Sequence, residues 1–288
     1  MPVESPALLS VAGLTKRYPS FLLDSVSFEL AAGTVMGFVG RNGAGKSTTL
    51  KSLFNFVHPD AGEVRFLGME FASNEAVIKQ LASLTFGGVD FYKRKKIAAV
   101  TDVYRRFFAT WDEAAYRGYL DRFELVEDKR LDQLSQGMRV KYALALALSH
   151  GARVLLLDEP TSGLDPVSRD DLLGLFRDLV ADGSSGILFS TQIMTDIEKC
   201  ADTLTYIKQG RVIASSGLDE FLAGYRTVTF PSPQPPPYVA AVLIGGRSGR
   251  GTFEALLHSS DAEAVAAAGG SVAEADLESI MIHIERQG

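Results

Sequence analysis

The sequence predicts an α/β fold built on a parallel sheet, and three stretches predict it. The apolar run Thr34-Val35-Met36-Gly37-Phe38-Val39 leads into Gly40-Arg41-Asn42-Gly43-Ala44-Gly45-Lys46-Ser47-Thr48, the pattern of a buried strand, a glycine loop and a helix start. The run Val154-Leu155-Leu156-Leu157 ends in Asp158-Glu159, as a strand buried on both faces does when its C-terminal end opens on a crevice. A helix over 166–181 and a strand over 186–190 follow, which is the alternation of a βαβ sheet.

Composition sets the outer bounds. At 288 residues and 46% hydrophobic content the chain suits one large domain, or one domain with an appendage, around a real core. A net charge of −6 argues against nucleic acid as a bulk electrostatic partner, and the run Lys93-Arg94-Lys95-Lys96 is too short to reverse that. The single cysteine, Cys200, excludes an internal disulfide framework and a cysteine-based zinc site; a buried thiol in a reducing compartment is expected. No apolar run reaches the roughly 18–20 residues that span a bilayer, and Met1 to Pro6 lack the basic and apolar regions of a signal peptide. Action on a membrane is therefore expected to pass through another polypeptide.

Taken in order, Leu8–Arg17 and Ser25–Leu30 alternate as short strands, with Tyr18 between them placed either to stack on a base or to pack. In the loop 40–48, glycines let successive N–H groups turn inward, the helix start adds a positive partial charge and Lys46 adds a full one. Such a cradle binds phosphate, and Ser47 is placed to offer its hydroxyl to Mg²⁺. The helix continues over 48–56 and breaks at Val57-His58-Pro59-Asp60-Ala61-Gly62; a strand over 63–67, a helix over 74–81 and a strand over 82–86 follow. From Ile97 to Phe123 the apolar spacing is helical, through Val100, Val103, Tyr104, Phe107 and Phe108, then Tyr116, Tyr119, Leu120 and Phe123. This stripe is expected to be core, in an all-helical insertion over about 89–150. Ser135 is the expected N-cap of the apolar helix ending at Ser149.

In the order of these motifs the chain resembles the nucleotide-binding subunit of an ATP-binding cassette (ABC) transporter, over roughly residues 8–222. The phosphate loop comes first, then the signature Leu134-Ser135-Gln136-Gly137-Met138, then the Walker B strand ending at Asp158-Glu159, then Thr161-Ser162-Gly163-Leu164-Asp165. The resemblance implies a P-loop NTPase parallel sheet with an antiparallel β subdomain and a helical signature subdomain. It also implies two cassettes enclosing two ATP molecules, each held by one copy's phosphate loop and the other's signature, and a membrane permease on a separate chain. Carried over by position, Gly40, Asn42, Gly43, Ala44, Gly45, Lys46, Ser47 and Thr48 cradle the phosphates, and Tyr18 stacks on adenine. Ser47 and Asp158 hold Mg²⁺, Glu159 polarises the attacking water, Ser135 and Gly137 face the partner's nucleotide, and Asp165 reaches across the dimer. Expected placement is on the cytoplasmic face of the inner membrane. The stretch Phe107-Phe108-Ala109-Thr110-Trp111-Asp112 and the signature resemble exporters whose cassette and permease are separate chains. Lys93 to Lys96 lie where a permease would dock, or form a solvated charge cluster.

Two positions depart from the family pattern. Gln192 stands where a switch histidine is usual, and Gly87-Gly88 follow the strand 82–86 where a glutamine is usual. Glutamine can donate a hydrogen bond but carries no proton or charge to the chemistry, so slower or differently regulated hydrolysis with intact ATP binding is expected. A regulatory nucleotide-binding protein with weak hydrolysis and no transport role is the alternative. Beyond a boundary at 224, a proline-rich linker over 225–238 is expected to be extended, followed by a small α+β appendage over 239–288. Its strands are expected at 239–244 and 251–257 and its helices at 261–268 and 276–286, docked on the cassette or its twin, with ligand sensing the lesser alternative.

Overall fold

The computed structural model describes residues 7–87 and 92–287. By internal contacts the chain forms two compact units, Met1–Ser215 and Ser216–Gly288. In the first, β1 (Ala7–Tyr18) and β2 (Phe21–Ala31) make an antiparallel hairpin, and β4 (Ala61–Phe66) and β5 (Met69–Glu70) extend it in the order β2-β1-β4-β5. These strands run longer than their alternation predicted, and Tyr18 closes β1 opposite Phe21 instead of lying between strands.

A six-stranded sheet has the order β10-β9-β3-β8-β7-β6. It comprises β3 (Val35–Val39), β6 (Ala82–Phe86), β7 (Val154–Asp158), β8 (Gly186–Thr191), β9 (Thr203–Lys208) and β10 (Arg211–Gly217). The pairs β9-β3, β3-β8, β8-β7 and β7-β6 are parallel. β3 and β8 are buried at every position, which is why their sequences read as apolar runs and not as alternation. The two sheets share one core: Leu14, Leu23 and Phe28 meet Phe38, Leu156 and Leu188, with Leu50 and Leu53 of α1 (Lys46–Leu53) closing it. Each such side chain contributes about 1.5–3 kcal/mol by leaving water. α1 ends at Leu53 and not near residue 56, while α2 (Phe71–Leu81) starts three residues before the expected 74 and kinks at Asn74.

Between β6 and β7 the described residues form α3 (Ile97–Tyr104), α4 (Glu113–Arg122) and α5 (Gln136–Ser149). A buried knot ties the three together, with Thr101 Oγ1 2.8 Å from the hydroxyls of both Tyr116 and Tyr142. The aromatic stripe is not all core. Val100, Tyr116, Leu120 and Phe123 are buried, but Val103 and Phe107 are 53% and 70% exposed. The helix breaks after Tyr104 into a 3-10 turn at Arg105–Phe107, and that turn rotates Phe107 out of the helical register. With Tyr92 and Tyr104 these side chains line an open apolar groove of about 470 Å³, and Lys95 sits at its edge. α6 (Pro166–Val180) and α7 (Met194–Cys200) complete the unit, and Cys200 is buried as expected.

The second unit corrects the expected boundary and linker. It begins at Ser216, not after 224, with α8 (Leu218–Ala223). Residues 225–230 are not linker but β11 (Tyr225–Phe230), which pairs with both β13 (Phe253–His258) and β14 (Ser271–Glu274). The sheet order is β12-β13-β11-β14, with β12 at Ile244–Ser248. Tyr-Arg-Thr-Val-Thr-Phe is rich in β-branched and aromatic residues, which suit a pleated, half-buried surface, and the prolines that follow do not extend back into it. A 3-10 turn at Ala240–Val242 replaces the strand expected at 239–244. α9 (Ala262–Ala267) and α10 (Leu277–Arg286) fall where expected, the latter burying Leu277, Ile280, Met281 and Ile284 on one stripe.

Candidate nucleotide-binding site

Four loops leave the C-terminal ends of adjacent parallel strands: 40–45 after β3, the turn at Gln192 after β8, Glu159 onward after β7, and Gly87 after β6. The register aligns Val39 with Thr191, Ser190 with Asp158, and Asp158 with Phe86, so one edge of the sheet gathers them.

The first loop is built for close backbone approach. Gly45 holds φ 116°, and a Cβ there would press on Phe21 at 3.0 Å. At Gly40 an added Cβ would lie 2.3 Å from the Ile207 carbonyl oxygen. α1 starts at Lys46 with no side-chain cap and no acidic residue in its first turn, so its leading N–H groups are left for an anion. Lys46 is 6% exposed, and its Nζ donates to the Gly40 carbonyl at 2.7 Å and the Arg41 carbonyl at 3.3 Å. Burial pushes its ammonium pKa down, opposed by the negative charges of Glu159 and Asp158. A buried cation, a glycine cradle and an uncapped helix start form a donor set that fits a phosphate chain. The Ser47 hydroxyl and the Asp158 carboxylate, the two ligands expected for Mg²⁺, are the sort of sparse oxygen set that ion takes when phosphates complete its shell.

Tyr18 is 41% exposed at the tip of the β1–β2 hairpin, beside Phe21, the ring that abuts Gly45. β7 ends at Asp158, and Glu159 turns out of the strand with φ 49°. Glu159 therefore leaves the strand through a left-handed turn. Gln192 is exposed just past β8. Gly87 takes φ 58°, and its carbonyl accepts a hydrogen bond from the Gln136 amide of α5; Gly88 lies outside the described residues. Ser135 caps α5 as expected, accepting from the Met138 N–H at 3.2 Å, with Gly137 buried behind it. Asp165 caps α6, accepting from Val167 and Ser168 N–H and from the Ser168 hydroxyl, bonds that hold its carboxyl below the usual range. In one copy of the chain, Ser135, Gly137 and Asp165 belong to helix starts and not to the loop 40–48.

Sequence reasoning missed two buried groups beside this edge. Ser190 is the penultimate residue of β8, and the hydroxyl pair Ser190-Thr191 after the apolar Ile187-Leu188-Phe189 was the available signal. Asp196 of α7 is 1% exposed with Arg169 Nε 3.9 Å away, and burial pushes its carboxyl pKa up, opposed by the Thr161 hydroxyl and the charge of Arg169.

The model of the ABC transporter family matches residues 23–162. The Nod factor export ATP-binding protein I of Burkholderia orbicola (strain AU 1054) is 34% identical over 220 residues, which cover 73% of this chain and 71% of that protein. This chain belongs to the ABC transporter ATP-binding family. The ABC transporter ATP-binding protein YtrB of Bacillus subtilis (strain 168) is 29% identical over 204 residues, 71% of this chain and 70% of that protein. A solved ATP-binding subunit of an ABC transporter superposes with a TM-score of 0.66 at 27% identity, covering 74% of this chain and 91% of that one. The cbiO1 subunit from Clostridium perfringens matches in fold with a TM-score of 0.67 at 23% identity, over 76% of this chain and 92% of that one. The cassette fold and the ATP-binding family character expected from the motif order are thus shown.

Proposed function

We propose that this cassette binds ATP with Mg²⁺ in the loop 40–48, closes with a second copy around two nucleotides, and hydrolyses them to drive an export-type permease encoded separately. One observation supports the reading: Lys46, buried at the start of α1 with its Nζ on the Gly40 and Arg41 carbonyls, follows β3 at the same sheet edge at which the register through β8 sets Asp158 at the end of β7. In that reading the N–H groups of the loop and Lys46 take the phosphates, and Tyr18 stacks on adenine. Ser47 and Asp158 hold Mg²⁺, which supplies charge neutralisation at the phosphate oxygens. Glu159 orients the water and takes its proton, while Gln192 donates a hydrogen bond to the γ-phosphate. Ser135 and Gly137 of one copy face the nucleotide of the other, and Asp165 meets the partner copy through the lone pairs that its cap leaves.

Export is favoured by the Nod factor export relatives. No described helix is long and apolar enough to cross a membrane, so attachment to the cytoplasmic face would rest on the permease. The groove beside Phe107 and Val103, with Lys95 at its edge, is the surface offered to it. Co-expression with a candidate permease, sought as a polytopic membrane protein in a neighbouring reading frame, should yield a complex in detergent, and Phe107→Glu should abolish that complex with ATP binding intact. A cassette recovered alone in both cases would favour the regulatory alternative.

The switch position gives a second test. Gln192→His should raise steady-state turnover about tenfold or more, because a histidine can shuttle a proton at neutral pH where glutamine cannot. Equal rates for the two chains would mean that glutamine already suffices.

A further inference from the structure

We propose that Ser190 is a positioning residue for hydrolysis, whose buried hydroxyl aims the carboxylate of Asp158 and pins the backbone of Glu159. The inference rests on the reading of Asp158 as metal ligand and Glu159 as base. Ser190 is fully buried at the end of β8, beside Asp158 in the parallel register. Its Oγ donates to Asp158 Oδ1 at 2.5 Å. The same Oγ accepts from the Glu159 backbone N–H at 3.1 Å, and that N–H also reaches the Ser190 carbonyl at 3.1 Å.

The hydroxyl thus uses its one proton on Asp158 and a lone pair on Glu159. Two consequences follow from that allocation. With Oδ1 engaged, Asp158 has a fixed orientation and Oδ2 remains for a cation, the kind of outer contact that sets ligand geometry at metal sites. Glu159 is a non-glycine residue at φ 49°, a conformation that persists where its surroundings over-determine it. The three-centre bond from its N–H to Ser190 is such a constraint, and it decides where the carboxylate leaves the backbone. Because Ser190 precedes Gln192 by two residues, the same contact ties the switch turn to the carboxylate pair.

The test compares Ser190→Ala and Ser190→Thr with the native chain and with Glu159→Gln. For Ser190→Ala we expect kcat to fall tenfold or more, with KM for ATP within threefold and the melting temperature lowered by only a few degrees, the size of one lost buried hydrogen bond. Mn²⁺ affinity in the presence of ADP, read by electron paramagnetic resonance, should weaken severalfold. Amide exchange at Glu159 should quicken. Ser190→Thr, which keeps the hydroxyl, should restore the Mn²⁺ affinity and most of kcat. Native kcat and native Mn²⁺ affinity in Ser190→Ala, beside an inactive Glu159→Gln, would overturn the role of Ser190 and leave the carboxylate assignment standing. Native turnover in Glu159→Gln would overturn the assignment and this inference with it. A Ser190→Ala chain that melts early and is not rescued by threonine would reduce Ser190 to a structural residue and overturn the proposal.

Discussion

Replacing Glu159 by glutamine is expected to cut ATP turnover by about 10²–10⁴-fold, the usual contribution of a positioned general base, while nucleotide affinity stays within a few-fold of native. The two effects separate because Glu159 has no place in the phosphate cradle. Glutamine keeps the volume and can still hydrogen-bond a water, but it cannot take the water's proton. Steady-state phosphate release, read beside a nucleotide titration, checks the split. On the proposed closure of two copies around ATP, size-exclusion chromatography with ATP should show the variant accumulating as a dimer, because the step proposed to reopen the pair is blocked. A turnover within threefold of native would remove Glu159 from the chemistry.

Lys46→Ala is expected to weaken ATP binding by about 100-fold or more, the size of one or two lost hydrogen bonds to charged phosphate at roughly 1.5–3 kcal/mol each. Its effect on the fold runs the other way. Burial disfavours the ammonium, so removing it relieves a desolvation cost, while the Gly40 carbonyl loses its 2.7 Å donor. These terms oppose each other, and the melting temperature without nucleotide should move little. With millimolar ATP the native chain should gain stability that the variant does not, as mass action requires of a ligand that binds only the folded state. Thermal melts with and without ATP measure both quantities, and an equal ATP-induced shift in the two chains would contradict the cradle.

What could be read from the residues and what could not divide along a physical line. Val154 to Asp158 was legible because a strand buried on both faces must be apolar throughout, and its acidic end then marks a sheet edge. Ser135 was legible as a cap because capping is decided within four residues. The loop 40–48 was legible because its glycines and Lys46 follow a spacing that few other structures need. Phe107 was misread because helical spacing says which side chains share a face only while the helix continues, and it stops at Tyr104. β11 was hidden by the prolines after it, since its partners β13 and β14 are distant in sequence and local composition cannot see them. Ser190 escaped for the same reason: its importance lies in a bond to Asp158, 32 positions away.

The place of β8 in the sheet also sets an order of assembly. β3 and β7 do not pair with each other; β8 lies between them and pairs with both. A growing chain has its phosphate loop in hand by residue 48 and its carboxylates by residue 159, yet these halves acquire a common frame only when residues 186–191 insert. Closing such long loops is slow, because chain entropy is lost before the contacts repay it. The nucleotide site is therefore a late product of folding. A nascent or truncated chain lacking β8 would display a glycine loop with no carboxylates to complete it, so acquisition of ATP-dependent protease resistance should coincide with emergence of that strand.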